Sequence, residues 1–251
     1  SYGANQTFTT PDCGNYTLPF LEEFSSAALP GCWTQLDHQG NGQGWQFGTI
    51  SNQSPNPVLN GNYAFLNSND FGSGDSQNAD LISPVMDFSA NTSVTLQFNH
   101  YILCNNGSTG TLSYSTVSGW TVIQTFSVSS SSNPEVFSLN IPALAGQPQV
   151  QFTWNYTGTY GSYWAIDDVQ ITGTFLPATL SVTPLNQDVS PVAGSTTFSV
   201  VSNTNWSATN DQTWCSVTPS GTGEGTITAT YTENNTASQR LVNITVTVAG
   251  L

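Results

Sequence analysis

Apolar and polar residues alternate with a period of two along most of the chain. In the stretch SVTLQFNHYI, the residues Val94, Leu96, Phe98 and His100 share one face. Successive side chains of a β-strand point to opposite faces, so this pattern predicts strands that are buried on one side. The same alternation is found in TLSYSTV, WTVIQTFSV, VQFTWNY, AIDDVQITG and LVNITVTVAG. No long apolar stripe with a period of 3.6 is found, so the sequence predicts an all-β protein.

The alternation is interrupted at FLPATL, residues 175–180. A strand-like run ends at Thr174, Pro177 follows, and a new alternation begins with LSVTP. Short strands separated by Gly-, Asn- and Ser-rich turns are typical of β-sandwiches and jelly rolls. We therefore expect an extended segment over residues 1–12, a jelly-roll β-sandwich over 13–176 and a smaller β-sandwich over 177–251.

The charge of the chain is almost entirely negative. One basic residue, Arg240, stands against fifteen acidic residues, which gives a formal net charge of −14. Binding to nucleic acid or to an anionic membrane depends on cationic side chains, so both functions are excluded. The chain also lacks an apolar run of about 18 residues, so we expect no membrane-spanning segment. An aromatic content of 12% predicts a folded core rather than disorder.

The chain has features of an exported protein. Its start, SYGANQTFTT, lacks the basic and apolar regions of an export signal, so we expect any signal to have been removed and the protein to be extracellular. Cys13 and Cys32 lie close together around a predicted strand and turn, which favours a disulfide. Cys104 and Cys215 lack obvious partners and are expected to be small buried side chains. Asn-x-Ser/Thr triplets, acceptors for N-glycans only in a host with the machinery, occur at Asn5, Asn15, Asn52, Asn91, Asn106, Asn155, Asn205, Asn234 and Asn243.

Residues for catalysis are scarce. Nucleophilic hydrolases need a histidine beside the nucleophile, and the chain has only His38, in a Gly-rich loop, and His100, on the apolar face of a strand. Nucleophile elbows, zinc-protease motifs and C-x-x-C pairs are all missing from the sequence. Glycosidases need only two carboxylates, which counting does not exclude, but the adjacent Glu22 and Glu23 would diverge on a strand. We expect that the protein is not an enzyme.

Five ordered segments of the first predicted domain resemble the cleaved adhesin domain of gingipain-type surface proteins in Bacteroidetes. These segments are LPFLEEF at 18–24, LPGCW at 29–33, the loop 37–45, ADLISP at 79–84 and AIDDVQI at 165–171. The resemblance implies a MAM-like jelly roll.

The second predicted domain is similar to BACON modules, which are immunoglobulin-like. The matching segments are WSA at 206–208, WCSVTP at 214–219, the glycine turn at 220–225 and Arg240 ahead of the closing strand. We interpret Arg240 as a partly buried side chain that ties its own strand.

The resemblance to the cleaved adhesin domain also implies a structural calcium site. The matching residues are Glu22, Asp37 and either Asp167 or Asp168, with Asn41 in the same loop as Asp37. Carboxylate and amide oxygens are the ligands that Ca²⁺ prefers. Since Asp167 and Asp168 are consecutive on a strand, only one of them is expected to face such a site. The alternative is a polar turn in which Asp37 caps backbone amides.

Aromatic residues around the predicted turn TGTYGSYW suggest a binding role. Tyr160, Tyr163 and Trp164 would form a platform on which neutral sugar rings stack, although core packing is the alternative for these rings as it is for most of the tryptophans.

The strand-like residues 1–12 suggest a different role, in which this segment adds to an open sheet edge of another copy. We expect a non-catalytic extracellular structural or adhesion protein, with self-assembly into a surface layer or filament ahead of glycan binding. A further alternative is that both domains are accessory parts of a larger secreted enzyme.

Overall fold

The computed structural model describes residues 13–249, which are almost entirely β-structure, as the sequence predicts. The predicted extended segment 1–12, with Asn5, lies outside the described residues. The chain divides into two compact units, and the division falls between Phe175 and Leu176.

The first unit consists of strands β1 to β11 and two short 3-10 turns at Ser68–Phe71 and Pro142–Leu144. The strands are β1 (Phe20–Glu22), β2 (Thr34–Asp37), β3 (Gln46–Gly48), β4 (Tyr63–Asn67), β5 (Ser76–Ile82), β6 (Asn91–Leu103), β7 (Thr109–Thr116), β8 (Gly119–Phe126), β9 (Glu135–Asn140), β10 (Gln151–Thr159) and β11 (Tyr163–Phe175).

These strands form two antiparallel sheets. The six-stranded sheet has the order β3-β4-β11-β6-β9, and β1 also pairs with β11. The five-stranded sheet has the order β2-β5-β10-β7-β8. Consecutive strands therefore often belong to different sheets, which is the connectivity of a sandwich rather than of a simple meander.

The core of the first unit is built from the apolar faces of these strands. Val94, Leu96, Phe98 and His100 of β6 are all buried, which confirms the face predicted from their spacing. Large aromatic rings from both sheets meet in the same core, with Trp154 of β10 and others packed edge to face or tilted. Stacked sheets lie about 10 Å apart, so bulky side chains of this kind fill the space between them.

A second apolar layer covers the outer face of β4 and the start of β11. Tyr63, Phe65, Tyr101 and Tyr163 form a separate buried cluster there. The preceding loop, residues 49–62, is fixed to this layer because the Ile50 backbone N–H donates to Tyr63 Oη at 2.7 Å and Tyr163 Oη donates to the Pro55 carbonyl. The strand β4 is consequently buried on both faces.

The second unit is a smaller sandwich of strands β12 to β18. One sheet has the order β12-β13-β17-β15 and the other has the order β16-β14-β18. The strands are β12 (Leu180–Thr183), β13 (Gly194–Ser202), β14 (Asn205–Asn210), β15 (Cys215–Val217), β16 (Ser220–Thr222), β17 (Gly225–Tyr231) and β18 (Ile244–Val248). Its core contains Trp206 and Ile227, and alternate residues of β18, Ile244, Val246 and Val248, are packed against them.

The single basic residue is bonded within the second unit. The Arg240 guanidinium lies 4.3 Å from the ring centroid of Trp214 and donates to the Thr232 carbonyl. Arg240 is only partly exposed, as expected, but it precedes β18 and ties the chain to the end of β17 rather than to its own strand.

The cysteines follow their predicted division. Cys13 and Cys32 form a disulfide with a Cα–Cα distance of 5.4 Å. Cys104 is half-buried and Cys215 is buried, and both are free thiols. Burial raises the pKa of the Cys104 thiol to about 11, so it carries little thiolate at neutral pH.

His100 is buried among aromatic rings without a partner for its Nδ1 atom. The rings of Phe98, Phe126 and Trp164 surround it at centroid distances of 5.4, 5.0 and 6.4 Å. Burial lowers the pKa of His100 to about 4, although the carboxylate of Glu135 acts in the opposite direction. The imidazole is therefore neutral in the folded state.

This burial predicts a pH-dependent loss of stability that His100→Phe removes. Between the ordinary pKa of 6.5 and about 4 the unfolded chain binds a proton that the folded chain excludes, so stability falls as the pH is lowered through this window. We expect the free energy of unfolding of His100→Phe, relative to that of the wild type, to increase by about 2 kcal/mol when the pH is lowered from 7.5 to 4.5. Urea denaturation of both proteins at the two pH values measures these free energies. The prediction is wrong if the difference between His100→Phe and the wild type is the same at both pH values.

Candidate functional site

Acidic residues gather at a break in the pairing of β11. The first part of β11 pairs with β4, up to Ile166, and the later part pairs with β1, from Val169 onward. Between these parts the register with β6 shifts, and Asp168 adopts a positive φ of 50°. A β-bulge of this kind redirects side chains locally. We call Glu22 and Glu23, at the end of β1, together with Asp167 and Asp168, the acidic junction.

Asp167 is the buried member of the acidic junction. Its side chain is 1% exposed, its Oδ1 accepts from the Asp168 backbone N–H at 2.9 Å, and its Oδ2 has no partner among the described residues. Burial raises its pKa to about 7; the negative charges of Asp168 and Glu23 add to this rise, while the backbone amides of Asp168 and Asn60 oppose it. A buried carboxylate with one unsatisfied oxygen is costly unless something neutralises it.

The other members of the acidic junction are more exposed or already bonded. Asp168 is half-buried and accepts from Asn99 Nδ2 at 2.8 Å, so only one of the two consecutive aspartates is fully buried. Glu22 accepts from the Phe24 backbone N–H at 2.8 Å, and burial raises its pKa. Glu23, which was not predicted as a site residue, is exposed and acts on Asp167 through its charge.

Asp37 and Asn41 lie elsewhere, in the loop that follows β2 in the other sheet. Asp37 Oδ1 accepts from the Gln39 N–H at 2.9 Å, and Oδ2 accepts from the Gly42 N–H at 2.7 Å. Desolvation raises the pKa of Asp37, but the amides of the turn lower it by more, so the net shift is downward. Asn41 is bonded to Gln39, Ser76 and Gln43. The geometry around Asp37 and Asn41 is therefore that of the alternative, a polar turn that caps backbone amides.

The five predicted metal ligands thus occupy two different places. Within residues 13–249, three or more His, Cys, Asp or Glu side chains never come together in a group that could hold a metal ion. A cation at the acidic junction would therefore need backbone carbonyls or water in addition to carboxylates. The unpartnered Oδ2 of Asp167 is the feature that fits such an ion.

His38 forms a hydrogen bond with Asp80 on the surface of the five-stranded sheet. Its Nε2 lies 2.9 Å from Asp80 Oδ2, and Asn155 Nδ2 donates to both Asp80 Oδ1 and Asn78 Oδ1. In the part of the chain that the structure describes, His38 contacts no hydroxyl or thiol by a hydrogen bond. The pair therefore lacks the neighbouring nucleophile that a hydrolytic triad requires.

The aromatic platform predicted around Tyr160 is wrong for two of its three members. Tyr163 and Trp164 are fully buried, and only Tyr160 is exposed, at 46%. The turn ends at Gly161, with a φ of 91°, and β11 begins at Tyr163. Trp164 then faces the main core and Tyr163 faces the layer under the loop 49–62. Two exposed rings that were not among the predicted site residues are Trp120 of β8 and Phe175 of β11, which are 54% and 56% exposed.

The predicted glycosylation sites differ in accessibility. Asn91 is 3% exposed and its side chain donates to the Thr174 carbonyl, so this triplet is inaccessible in the folded protein. Asn155 and Asn234 are half-buried, whereas the side chains at the surface are those of Asn15, Asn52, Asn106, Asn205 and Asn243.

The pKa of Asp167 predicts a loss of stability as the pH rises. Between the ordinary pKa of 3.8 and about 7 the unfolded chain releases a proton that folded Asp167 retains. In EDTA, the free energy of unfolding of the wild type should fall by about 2–3 kcal/mol more than that of Asp167→Asn between pH 5 and pH 8, because asparagine cannot ionise. Urea denaturation of both proteins measures the difference. Parallel pH profiles would show that Asp167 ionises freely.

Among residues 13–249, the structure has no helix long and apolar enough to cross a membrane.

Residues 179–250 match the family described as the viral BACON domain. No curated protein matches the chain.

Among solved structures, the K1 cleaved adhesin domain of Lys-gingipain from Porphyromonas gingivalis W83 is 18% identical to this chain. The alignment covers 62% of this chain and 98% of that domain, with a TM-score of 0.45. The K2 cleaved adhesin domain of Lys-gingipain is 20% identical and covers 62% and 98% of the two chains, with a TM-score of 0.43. TmCBM61, solved in complex with β-1,4-galactotriose, is 13% identical and covers 60% and 94%, with a TM-score of 0.43. The match of residues 179–250 to the viral BACON domain agrees with the motifs of the predicted second domain.

Proposed function

We propose that this protein is a non-catalytic extracellular structural or adhesion protein whose copies assemble through an open sheet edge. The observation that carries the proposal is the edge strand β8. It is eight residues long, with the sequence GWTVIQTF, and contains neither a charged residue nor proline. Edge strands of monomeric proteins are normally shortened, charged or covered, because unpaired backbone groups invite another strand.

The other described edge strands contrast with β8. β9 has six residues and begins with Glu135, β18 has five residues, β2 and β12 have four, and β1, β3, β15 and β16 have three. Trp120 and Val122 of β8 are 54% and 61% exposed, so apolar surface accompanies the unpaired backbone. The bulge at Ile123, opposite Leu112 and Ser113, is the one protective device on this edge.

Residues 1–12 of a second copy are the strand that we assign to this edge. The segment SYGANQTFTTPD carries no charged side chain before Asp12 and alternates Thr7-Phe8-Thr9 in the manner of a strand. A donated segment pairs its backbone with the edge and so satisfies the exposed N–H and C=O groups. Because the donor and the acceptor are different surfaces of the chain, such contacts continue into a fibre unless they close into a ring.

The extracellular location in this proposal is supported by the disulfide Cys13–Cys32, since disulfides persist in oxidising compartments. It is further supported by the absence of lysine and the presence of a single arginine, which leave trypsin-like proteases one candidate cleavage site in the sequence.

Assembly is tested with Val122→Lys and with deletion of residues 1–12. Either change should leave a folded monomer, because a charge in the middle of the edge repels an added strand and the deletion removes the donor. Val201→Lys is the matched control, since Val201 is a 53% exposed valine on β13, an inner strand of its sheet. Light scattering and electron microscopy should show fibres for the wild type and for Val201→Lys. Fibres that persist without residues 1–12 would refute the donor strand.

We further propose that the acidic junction holds a structural Ca²⁺ ion. Asp167 would provide the buried ligand, with Glu22 or Asp168 and backbone carbonyls as the other oxygens. Calcium bound there would neutralise the buried carboxylate and stabilise the junction of β1, β4 and β11.

Calcium is tested by thermal unfolding at pH 8. A Ca²⁺ concentration about 100-fold above Kd should raise Tm by roughly 5 °C over EDTA, because the ion binds the folded state alone. Asp167→Asn should lose this increase, whereas Asp188→Asn, at an exposed aspartate in the second unit, should retain it. An equal increase in Asp167→Asn would place the ion elsewhere.

Recognition of neutral glycans is a second candidate function. It is favoured by the exposed aromatic rings of Trp120 and Tyr160 on a surface with few charged side chains. Sugar C–H groups stack on such rings without needing charge. Binding to an array of immobilised glycans tests this candidate, and silence on the array would favour assembly alone.

A further inference from the structure

Asparagine is followed directly by glycine at three places in the chain, which are Asn41-Gly42, Asn60-Gly61 and Asn106-Gly107. Asparagine is among the thermolabile residues of proteins. It reacts most readily before glycine, because glycine has no Cβ atom to hinder the approach of its backbone nitrogen. All three pairs lie outside strands, and all three asparagines are exposed. The local sequence gives the pairs the same chemistry, so only their surroundings in the fold distinguish them.

The reaction of such a pair is the loss of ammonia from the asparagine side chain. The glycine backbone nitrogen gives its proton to water and forms a bond to Cγ of the asparagine. The bond from Cγ to Nδ2 breaks, Nδ2 leaves as ammonia, and a cyclic succinimide remains. Water then opens the ring at either of its carbonyl groups, which gives aspartate or isoaspartate. The reaction therefore needs a free glycine N–H, a side chain that can turn toward it, and access to water.

The pair Asn41-Gly42 is held in an arrangement that opposes this reaction. The Gly42 backbone N–H donates to Asp37 Oδ2 at 2.7 Å, which occupies the attacking nitrogen. The Asn41 side chain makes three further hydrogen bonds, to groups of its own loop and of β5. Both reacting groups would have to leave their partners before they could meet.

The pair Asn106-Gly107 is restrained by a tight turn. The Ser108 backbone N–H donates to the Asn105 carbonyl at 2.9 Å and closes this turn, in which Asn106 has a φ of 51°. Asn106 Nδ2 also donates to the Tyr160 carbonyl at 3.2 Å. Bringing the Asn106 side chain onto the Gly107 nitrogen would require the turn to distort and this side-chain bond to break.

The pair Asn60-Gly61, in the loop 49–62, has no such restraint. Within residues 13–249, neither the Asn60 side chain nor the Gly61 backbone N–H makes a hydrogen bond, and both residues are exposed. Contact with solvent is what the reaction requires, because water accepts the proton and later opens the ring. Asn60 is therefore the pair member whose surroundings leave the reaction unopposed.

The position of Asn60 gives its conversion a structural consequence. The Asn60 backbone N–H faces the carboxylate of Asp167, which is 1% exposed and already lies near the negative charges of Asp168 and Glu23. An aspartate or isoaspartate at position 60 adds a negative charge next to this group. Isoaspartate also lengthens the main chain by one atom, at the residue whose amide faces Asp167.

We propose that Asn60 is a deamidation site of the folded protein, that its conversion places a new carboxylate beside the acidic junction, and that Asp37 protects Asn41 from the same reaction. This inference goes beyond the proposed function, because it needs neither assembly through β8 nor a bound ion or glycan.

The site is tested by incubating the intact chain at pH 8 and following its chymotryptic peptides by mass spectrometry. Asn60 should convert first and Asn106 more slowly. Conversion at Asn41 should be at least about 10-fold slower than at Asn60, because the Gly42 N–H must first leave the Asp37 carboxylate. In urea, where the fold is lost, the three pairs should convert at similar rates. Conversion at Asn41 or Asn106 as fast as at Asn60 in the folded protein would overturn the assignment, and so would a preference for Asn60 that persists in urea.

Three variants test the roles of the individual residues. Asn60→Gln should abolish the earliest conversion, because the longer side chain closes a ring less readily. Asn106→Gln is the matched control and should leave the rate at Asn60 unchanged. Asp37→Ala frees the Gly42 N–H and should raise the rate at Asn41 by at least about 10-fold.

Thermal unfolding confirms that each of these variants is folded. Early conversion that persists in Asn60→Gln would refute the site. An unchanged rate at Asn41 in folded Asp37→Ala would refute the protection by Asp37.

Discussion

The ladder between β6 and β11 is the interaction on which the first unit depends. Both strands have thirteen residues, and they pair over almost their full length at the centre of the six-stranded sheet. β11 also pairs with β4 and β1 on its other side, so a single strand aligns most of that sheet. β1 and β4 share one side of β11, and the bulge at Asp167 and Asp168 lies between the two pairings. The acidic junction therefore lies where β11 changes its partner on that side.

The local periodicity of the sequence predicts the strands well and their surroundings poorly. The buried face of β6 follows from alternation alone, since side-chain direction in a strand depends only on the backbone. The burial of Tyr163 and Trp164 depends on other parts of the chain: the loop 49–62 covers one ring, and the opposite sheet covers the other. A cluster of aromatics near a glycine turn therefore looks the same in the sequence whether it is a surface platform or a core.

The same limit applies to the candidate sites. Asp37 in a Gly-rich loop has the composition of a metal ligand and of a turn cap, and only the positions of the Gln39 and Gly42 amides distinguish these roles. The open character of β8 could be predicted in part, because the sequence GWTVIQTF shows that the strand lacks charge and proline. Its place at the end of a sheet is known only from the sheet topology.

The internal use of Arg240 has an electrostatic consequence for the whole surface. With its guanidinium stacked on Trp214 and bonded to Thr232, the one cation of the chain is engaged within its own domain, and the net charge of −14 is left without opposing surface charge. Two copies must therefore approach each other against a repulsive field. Dissolved salt at about 0.1 M shortens the reach of that field to roughly 10 Å. Contact between copies of this protein is thus favoured by saline surroundings, whereas pairs of oppositely charged proteins associate fastest in dilute buffer.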